Sequence, residues 1–156
     1  MRTNIFKALA CLILFILFVS SCDWQDLPSY EQAEISAVQF YYRWASGEKD
    51  AVTGEPIVKE KRLDTVSEVD SGKGLVTANV TVPDASGDFS EDVRADVSQG
   101  RLWGQVSVST AARVTPVNGT AKLGTPDDWT KERQFEVRAA DGTVKVWTIK
   151  IVEFNK

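Results

Sequence analysis

Cys22 is the residue of this sequence most clearly marked for covalent chemistry. It follows Val19-Ser20-Ser21, and an aliphatic residue, two small residues and a cysteine form the pattern at which a lipoprotein signal peptidase cuts. The thiol then carries lipid, palmitate-type acyl chains among them, and Cys22 becomes the new N-terminus. What precedes it fits. Arg2 and Lys7 open the chain with positive charge, and Ala8 to Val19 runs 12 residues without a charge. A membrane-spanning helix needs about 20 apolar residues, so this run has the length of a signal-peptide core rather than of a span. An ordinary secretory signal would need no cysteine at this place. One acyl chain holds a protein weakly and several hold it stably, at about 0.8 kcal/mol per buried methylene. The expected arrangement is a leader over residues 1–21, a tether over 22–32 and one domain over 33–156. The expected place is the outer membrane or the cell surface, with membrane lipid as the partner of Cys22.

Little else offers reactive chemistry. The chain has no histidine and two cysteines, of which Cys11 lies in the leader. Ser-His-Asp and Cys-His nucleophiles are therefore excluded, as are the usual nitrogen and sulfur ligands of zinc, copper and haem. No enzyme activity, cofactor or metal is expected. Carboxylates remain, but a glycosidase needs two of them about 5 to 9 Å apart across a cleft, and a small sandwich offers no obvious cleft. Asp84 to Asp92 spaces its oxygens briefly like a calcium loop. Phe89 stands where the turn glycine belongs and Ala95 where the bidentate Glu should be, so a solvated turn is the better reading. Loss of the leader takes Arg2 and Lys7 with it and leaves 135 residues with 16 basic against 22 acidic side chains, a net charge of −6. An acidic surface disfavours nucleic acid as a partner.

Binding chemistry is left to the aromatic residues. Trp103, Trp129 and Tyr41, with Gln105 as a polar neighbour, are the candidate ligand-binding residues, because large aromatics stack on sugar rings. In Leu102 to Val108 the alternation puts Leu102, Val106 and Val108 on the inward face and Trp103 on the other, with Gln105 and Ser107. Against a platform stands the habit of tryptophan to be buried. Gly104 as a bulge would turn Trp103 inward, or a loop would cover it, and this is the favoured outcome. Trp129, at the end of the loop-like Lys122–Trp129 stretch, is expected to plug one end of the domain.

The elements that must position these residues read as strands. Glu34 to Trp44 changes phase: Ala33, Ile35 and Ala37 share one face, then Val38, Phe40, Tyr42 and Trp44 the other. Such a shift marks a bulge or a strand that changes sheets, as the first strands of immunoglobulin-like sandwiches do. Phe40 and Trp44 are expected in the core, Gln39 and Arg43 outward. Ile57 to Val69 alternates poorly and is expected as one exposed edge strand guarded by lysines. Leu75 to Val82 alternates cleanly with the valines inward, and Pro83 ends it. Ala112 to Val117 is a short strand. Gln134 to Ala139 and Val144 to Phe154 form a hairpin around Ala140-Asp141-Gly142. A three-residue loop there places Phe135 opposite Trp147, with Trp147, Ile149 and Ile151 inward.

Several stretches together resemble one family. They are Ala33-Glu34-Ile35, Tyr41-Tyr42-Arg43-Trp44, Ser109-Thr110-Ala111-Ala112 with Pro116, Lys122 to Trp129, and Ala139 to Thr143 with Trp147-Thr148-Ile149. The sequence is similar to the domain-of-unknown-function 5018-related family of Bacteroidetes lipoproteins. The resemblance implies an all-β, immunoglobulin-like β-sandwich of about seven strands on a bacterial envelope, and it implies no catalytic residues. Two functions follow as expectations. The first is a non-catalytic structural or interaction module that docks other envelope proteins, and the alternative is a carbohydrate-binding accessory lipoprotein.

Overall fold

The computed structural model describes residues 32–156, so Cys22, the leader and the tether up to residue 31 lie outside the described residues. Alternating apolar residues fold into nine strands: β1 (Ile35–Lys49), β2 (Pro56–Arg62), β3 (Asp64–Asp70), β4 (Leu75–Thr81), β5 (Leu102–Val108), β6 (Arg113–Val117), β7 (Pro126–Asp127), β8 (Arg133–Arg138) and β9 (Val144–Asn155). A short helix α1 (Glu91–Asp96) and a 3₁₀ turn over Gln99–Arg101 come between β4 and β5. The strands form a β-sandwich of a four-stranded sheet, β2-β1-β5-β7, and a five-stranded sheet, β3-β4-β9-β8-β6. The expected all-β sandwich forms, with more strands than the seven foreseen.

The phase change in β1 is a bulge. Its register against β5 shifts between Ile35 and Ala37, and the buried set passes from Ala33 and Ile35 to Val38, Phe40 and Tyr42. β1 does not change sheets. The chain crosses at Leu63, which splits the expected single edge strand into β2 on the edge of one sheet and β3 on the edge of the other. Leu63 is fully buried, and its amide donates to Phe40 O at 3.0 Å. The Gln39 side chain, expected to point idly outward, clamps the crossing. Its Nε2 donates to Leu63 O at 2.6 Å and to Thr65 Oγ1 at 3.0 Å.

Other expectations hold closely. In β4, Val76, Ala78 and Val80 are buried, followed by Val82 just beyond its end. The last hairpin has the register that matched its apolar faces: Phe135 lies opposite Trp147. Ala139 N donates to Thr143 O at 2.8 Å, closing a three-residue loop in which Gly142 takes the left-handed φ of 93°. β9 is the central strand of its sheet, and Trp147 and Ile149 are fully buried. Not foreseen is the parallel pairing of β4 with β9. The 84–92 stretch is also more than a solvated turn. Phe89 is buried, and Ser90 caps α1 by accepting the Val93 amide at 3.3 Å.

The poles of the sandwich differ. At one, the chain comes in and is fixed: Trp147 Nε1 donates to Ala33 O at 2.9 Å, and Lys145 pairs with Glu34 at 2.6 Å. The far end of β1 and the Pro83–Val97 excursion make the other pole. Trp147→Ala is expected to lower stability by about 3 to 5 kcal/mol, as a large core deletion. Val146→Ala, half exposed on the opposite face, should change it by less than about 0.5 kcal/mol. Urea midpoints of the two variants check this, and similar midpoints would put Trp147 outside the core.

Candidate functional site

Three of the four aromatic and polar candidates meet on the outer face of the four-stranded sheet. Phe40 and Tyr42 point inward from β1, so Tyr41 between them points out. The continuous β1–β5 register sets Tyr41 opposite Trp103 and Gln39 opposite Gln105. Trp103 is therefore not turned inward: there is no bulge at Gly104. The row extends to Arg62 across from Tyr41 and to Pro126 across from Trp103. Trp103 is half-buried and Gln105 exposed. The Arg43 guanidinium lies 5.7 Å from the Trp103 ring centroid and is held there by Glu60, 2.5 Å from its Nε. A cation–π contact of this exposed kind contributes about 0.5 to 1 kcal/mol.

Trp129 does not join them. It is 2 % exposed and lies between the sheets, its ring 4.8 Å from that of Phe40 and 6.4 Å from that of Phe135. Its indole N–H donates to Leu102 O at 3.1 Å, which satisfies the one polar atom it buries. Trp129 is thus buried in the core between the sheets, and the expectation of a ligand platform is corrected. The reason is Gly104: a Cβ there would overlap the Trp129 ring, so the glycine serves to admit tryptophan rather than to bulge the strand.

The structure adds a residue that the sequence placed in the core. Trp44 is only partly buried, packed at the margin of the core. It lies directly opposite Lys59 on the β1–β2 ribbon. The ribbon's inner face and the Pro83–Val97 excursion enclose two adjoining depressions of about 310 and 340 Å³, which share Trp44, Lys59 and Asp88. Lys59 Nζ reaches Asp88 at 2.8 Å and Glu48 at 3.5 Å. Its hydrogen bond to Asp88 raises the lysine pKa above its ordinary value. The available signal was the run Val58-Lys59-Glu60-Lys61, which puts two lysines on the inward phase of an edge strand, a pattern that also serves to protect an edge.

Hydrogen bonds from the Thr53 amide, the Lys73 ammonium and the Thr130 and Thr143 hydroxyls hold Asp50, Asp70, Asp128 and Asp141 below the ordinary carboxylate range. A general acid needs the opposite shift. Asp50 and Asp141 are exposed at turns, while Asp128 and Asp70, the last residue of β3, are part-buried. Among the described residues no group of three or more acidic side chains is placed to hold a metal ion, and no helix is long and apolar enough to cross a membrane.

Fold and surface thus define a two-sheet β-sandwich with aromatic residues on an open face and in a shallow groove. The chain belongs to the DUF5018-related family, whose model matches residues 35–150. It is similar to a crystal structure of a candidate secreted protein from Bacteroides fragilis, with 53% sequence identity and a TM-score of 0.75. That similarity covers 83% of this chain and 100% of the other. Among curated proteins there is no match. Gly104→Ala is expected to destabilise the fold by about 1 to 3 kcal/mol through overpacking against Trp129. Gly47→Ala, where an added Cβ would meet nothing within 4 Å, should not. A thermal melt of the pair checks it, and an unchanged Gly104→Ala midpoint would mean that Trp129 is free to move away.

Proposed function

We propose that this chain is a lipid-tethered, non-catalytic interaction module of the bacterial envelope. The observation that carries the reading is the way the domain receives its N-terminal segment. Ala33 is tied to the core by the Trp147 indole and Glu34 to Lys145, so the stretch following Cys22 reaches the sandwich at one fixed pole. A tether that enters at one fixed pole keeps its attachment point away from the far end of β1, where a partner would meet the domain. The secreted description of the Bacteroides fragilis relative supports export. The low-lying turn aspartates and the missing histidine support binding rather than catalysis.

A second reading, a carbohydrate-binding accessory lipoprotein, is favoured by one observation: the strand register brings Tyr41 and Trp103 side by side with Gln105 next along β5. An aromatic pair on a flat sheet face is a surface on which a glycan chain can lie. Arg43 over Trp103 would then have to move aside or take part.

Metabolic labelling with a palmitate analogue, followed by cell fractionation, tests the first reading. The native chain should take label and sediment with membranes, and Cys22→Ser should do neither. Cys22→Ser that still sediments with membranes would sink the tether.

A further inference from the structure

We propose that the groove under the β1–β2 ribbon is a binding site for a neutral oligosaccharide, with Trp44 as its stacking platform and Lys59, Asp88 and Ser86 as its hydroxyl-binding rim. Trp44 is held by aromatic neighbours, Tyr42 near-parallel at 6.3 Å and Phe89 tilted at 5.7 Å. Its ring is thus braced without being enclosed, and part of it lines both depressions. Both depressions are shallow and open and share Trp44, Lys59 and Asp88, a shape that suits a chain lying along the surface rather than a compact, enclosed ligand.

The rim selects the ligand class. Lys59 lies against Asp88 and Glu48, Lys61 donates to Ser86 Oγ at 3.1 Å and covers Phe89 at 5.2 Å, and Glu60 is taken by Arg43. Lys59 with Asp88 and Glu48, and Glu60 with Arg43, are therefore already paired, while Lys61 has only a neutral hydroxyl and a ring as partners. A ligand charge placed at Lys59, Asp88 or Glu60 would have to break a pair to form one. A sugar hydroxyl instead donates to a carboxylate and accepts from a lysine or serine at once, so it inserts without leaving a charge uncompensated. The apolar face of a pyranose ring then lies on the indole, which keeps its contact area at low entropic cost. The site takes the ligand class of the second reading to different residues and needs no lipid on Cys22, so each proposal fails separately.

The test is a titration of the mature chain carrying Cys22→Ser, followed by the indole N–H resonances of its tryptophans, with neutral gluco-, manno- and galacto-oligosaccharides. A dispersed amide spectrum shows that the protein is folded. At least one sugar should move the Trp44 signal saturably while leaving that of Trp103 in place. Trp44→Ala should weaken binding at least tenfold and Asp88→Asn at least threefold. Asp88 is largely exposed, so its variant decides the matter should Trp44→Ala fail to fold. A panel that never moves Trp44 overturns the proposal. So does binding that survives Asp88→Asn and Trp44→Ala unchanged, a response confined to Trp103, or a preference for sulfated or uronate-bearing chains.

Discussion

The position of Trp129 between the sheets is the constraint on which the sandwich depends. Phe40 comes from one sheet and Phe135 from the other, and Trp129 lies between them in the segment that leads from β7 to β8. The same residue thus fills the core and passes the chain from sheet to sheet. Its backbone is fixed from both sides: Trp129 N donates to Gln99 O at 3.0 Å, and Gln99 Nε2 donates to Trp129 O at 2.7 Å. Beside it Arg133 pairs with Asp127 at 2.6 Å, both side chains nearly buried. A pair so desolvated stabilises little by itself, but loss of either partner would strand a charge. Indole, glycine and ion pair must therefore be present together, and this ties the short strand β7 to a tightly specified place.

A second passage between the sheets works differently. At Leu63 the chain leaves β1 and joins β4, and here no large aromatic spans the gap. The crossing is held by polar groups: the Leu63 amide on Phe40 O and the Gln39 carboxamide on Leu63 O and Thr65 Oγ1. Backbone that leaves a sheet loses ladder partners, and a side-chain amide supplies them. β2 and β3 are consequently both edges, each pairing on one side. β2 carries Lys59 and Lys61 on its inward phase and β3 carries acids, devices that discourage edge-to-edge association.

What was legible in the sequence was what is local. The valines of β4 show their face by alternation alone, and the Ala140-Asp141-Gly142 turn with Phe135 and Trp147 sets its own register. The bulge in β1 shows as a one-residue slip in its apolar pattern. What was not legible depends on distant partners. Leu63 is a single apolar residue among charges, and nothing nearby says that it is buried. The parallel β4–β9 pairing joins strands some seventy residues apart. Of the candidate site, Tyr41, Trp103 and Gln105 were grouped correctly by period two. Trp129 was misjudged as a ligand residue because the space that admits it is an absence, the missing Cβ of Gly104. Trp44 was assigned to the core because its strand pattern is that of a core residue. Only the tertiary structure shows that it is partly buried, at the margin of the core.

That marginal place also distinguishes the two aromatic surfaces. On the outer face, Arg43 already lies over the Trp103 ring, so a ligand must displace a cation that is itself paired with Glu60. In the groove, the partners of Trp44 are aromatic and sit against part of its ring, leaving the remainder turned to the open depressions. Displacement costs less there. Trp44 also lies nine residues along β1 from Ile35, about 30 Å at about 3.3 Å per residue, and away from the pole where Ala33 and Glu34 are fixed. The groove and the entry of the chain therefore lie toward opposite ends of β1, so a ligand in the groove would not meet the contacts that fix Ala33 and Glu34.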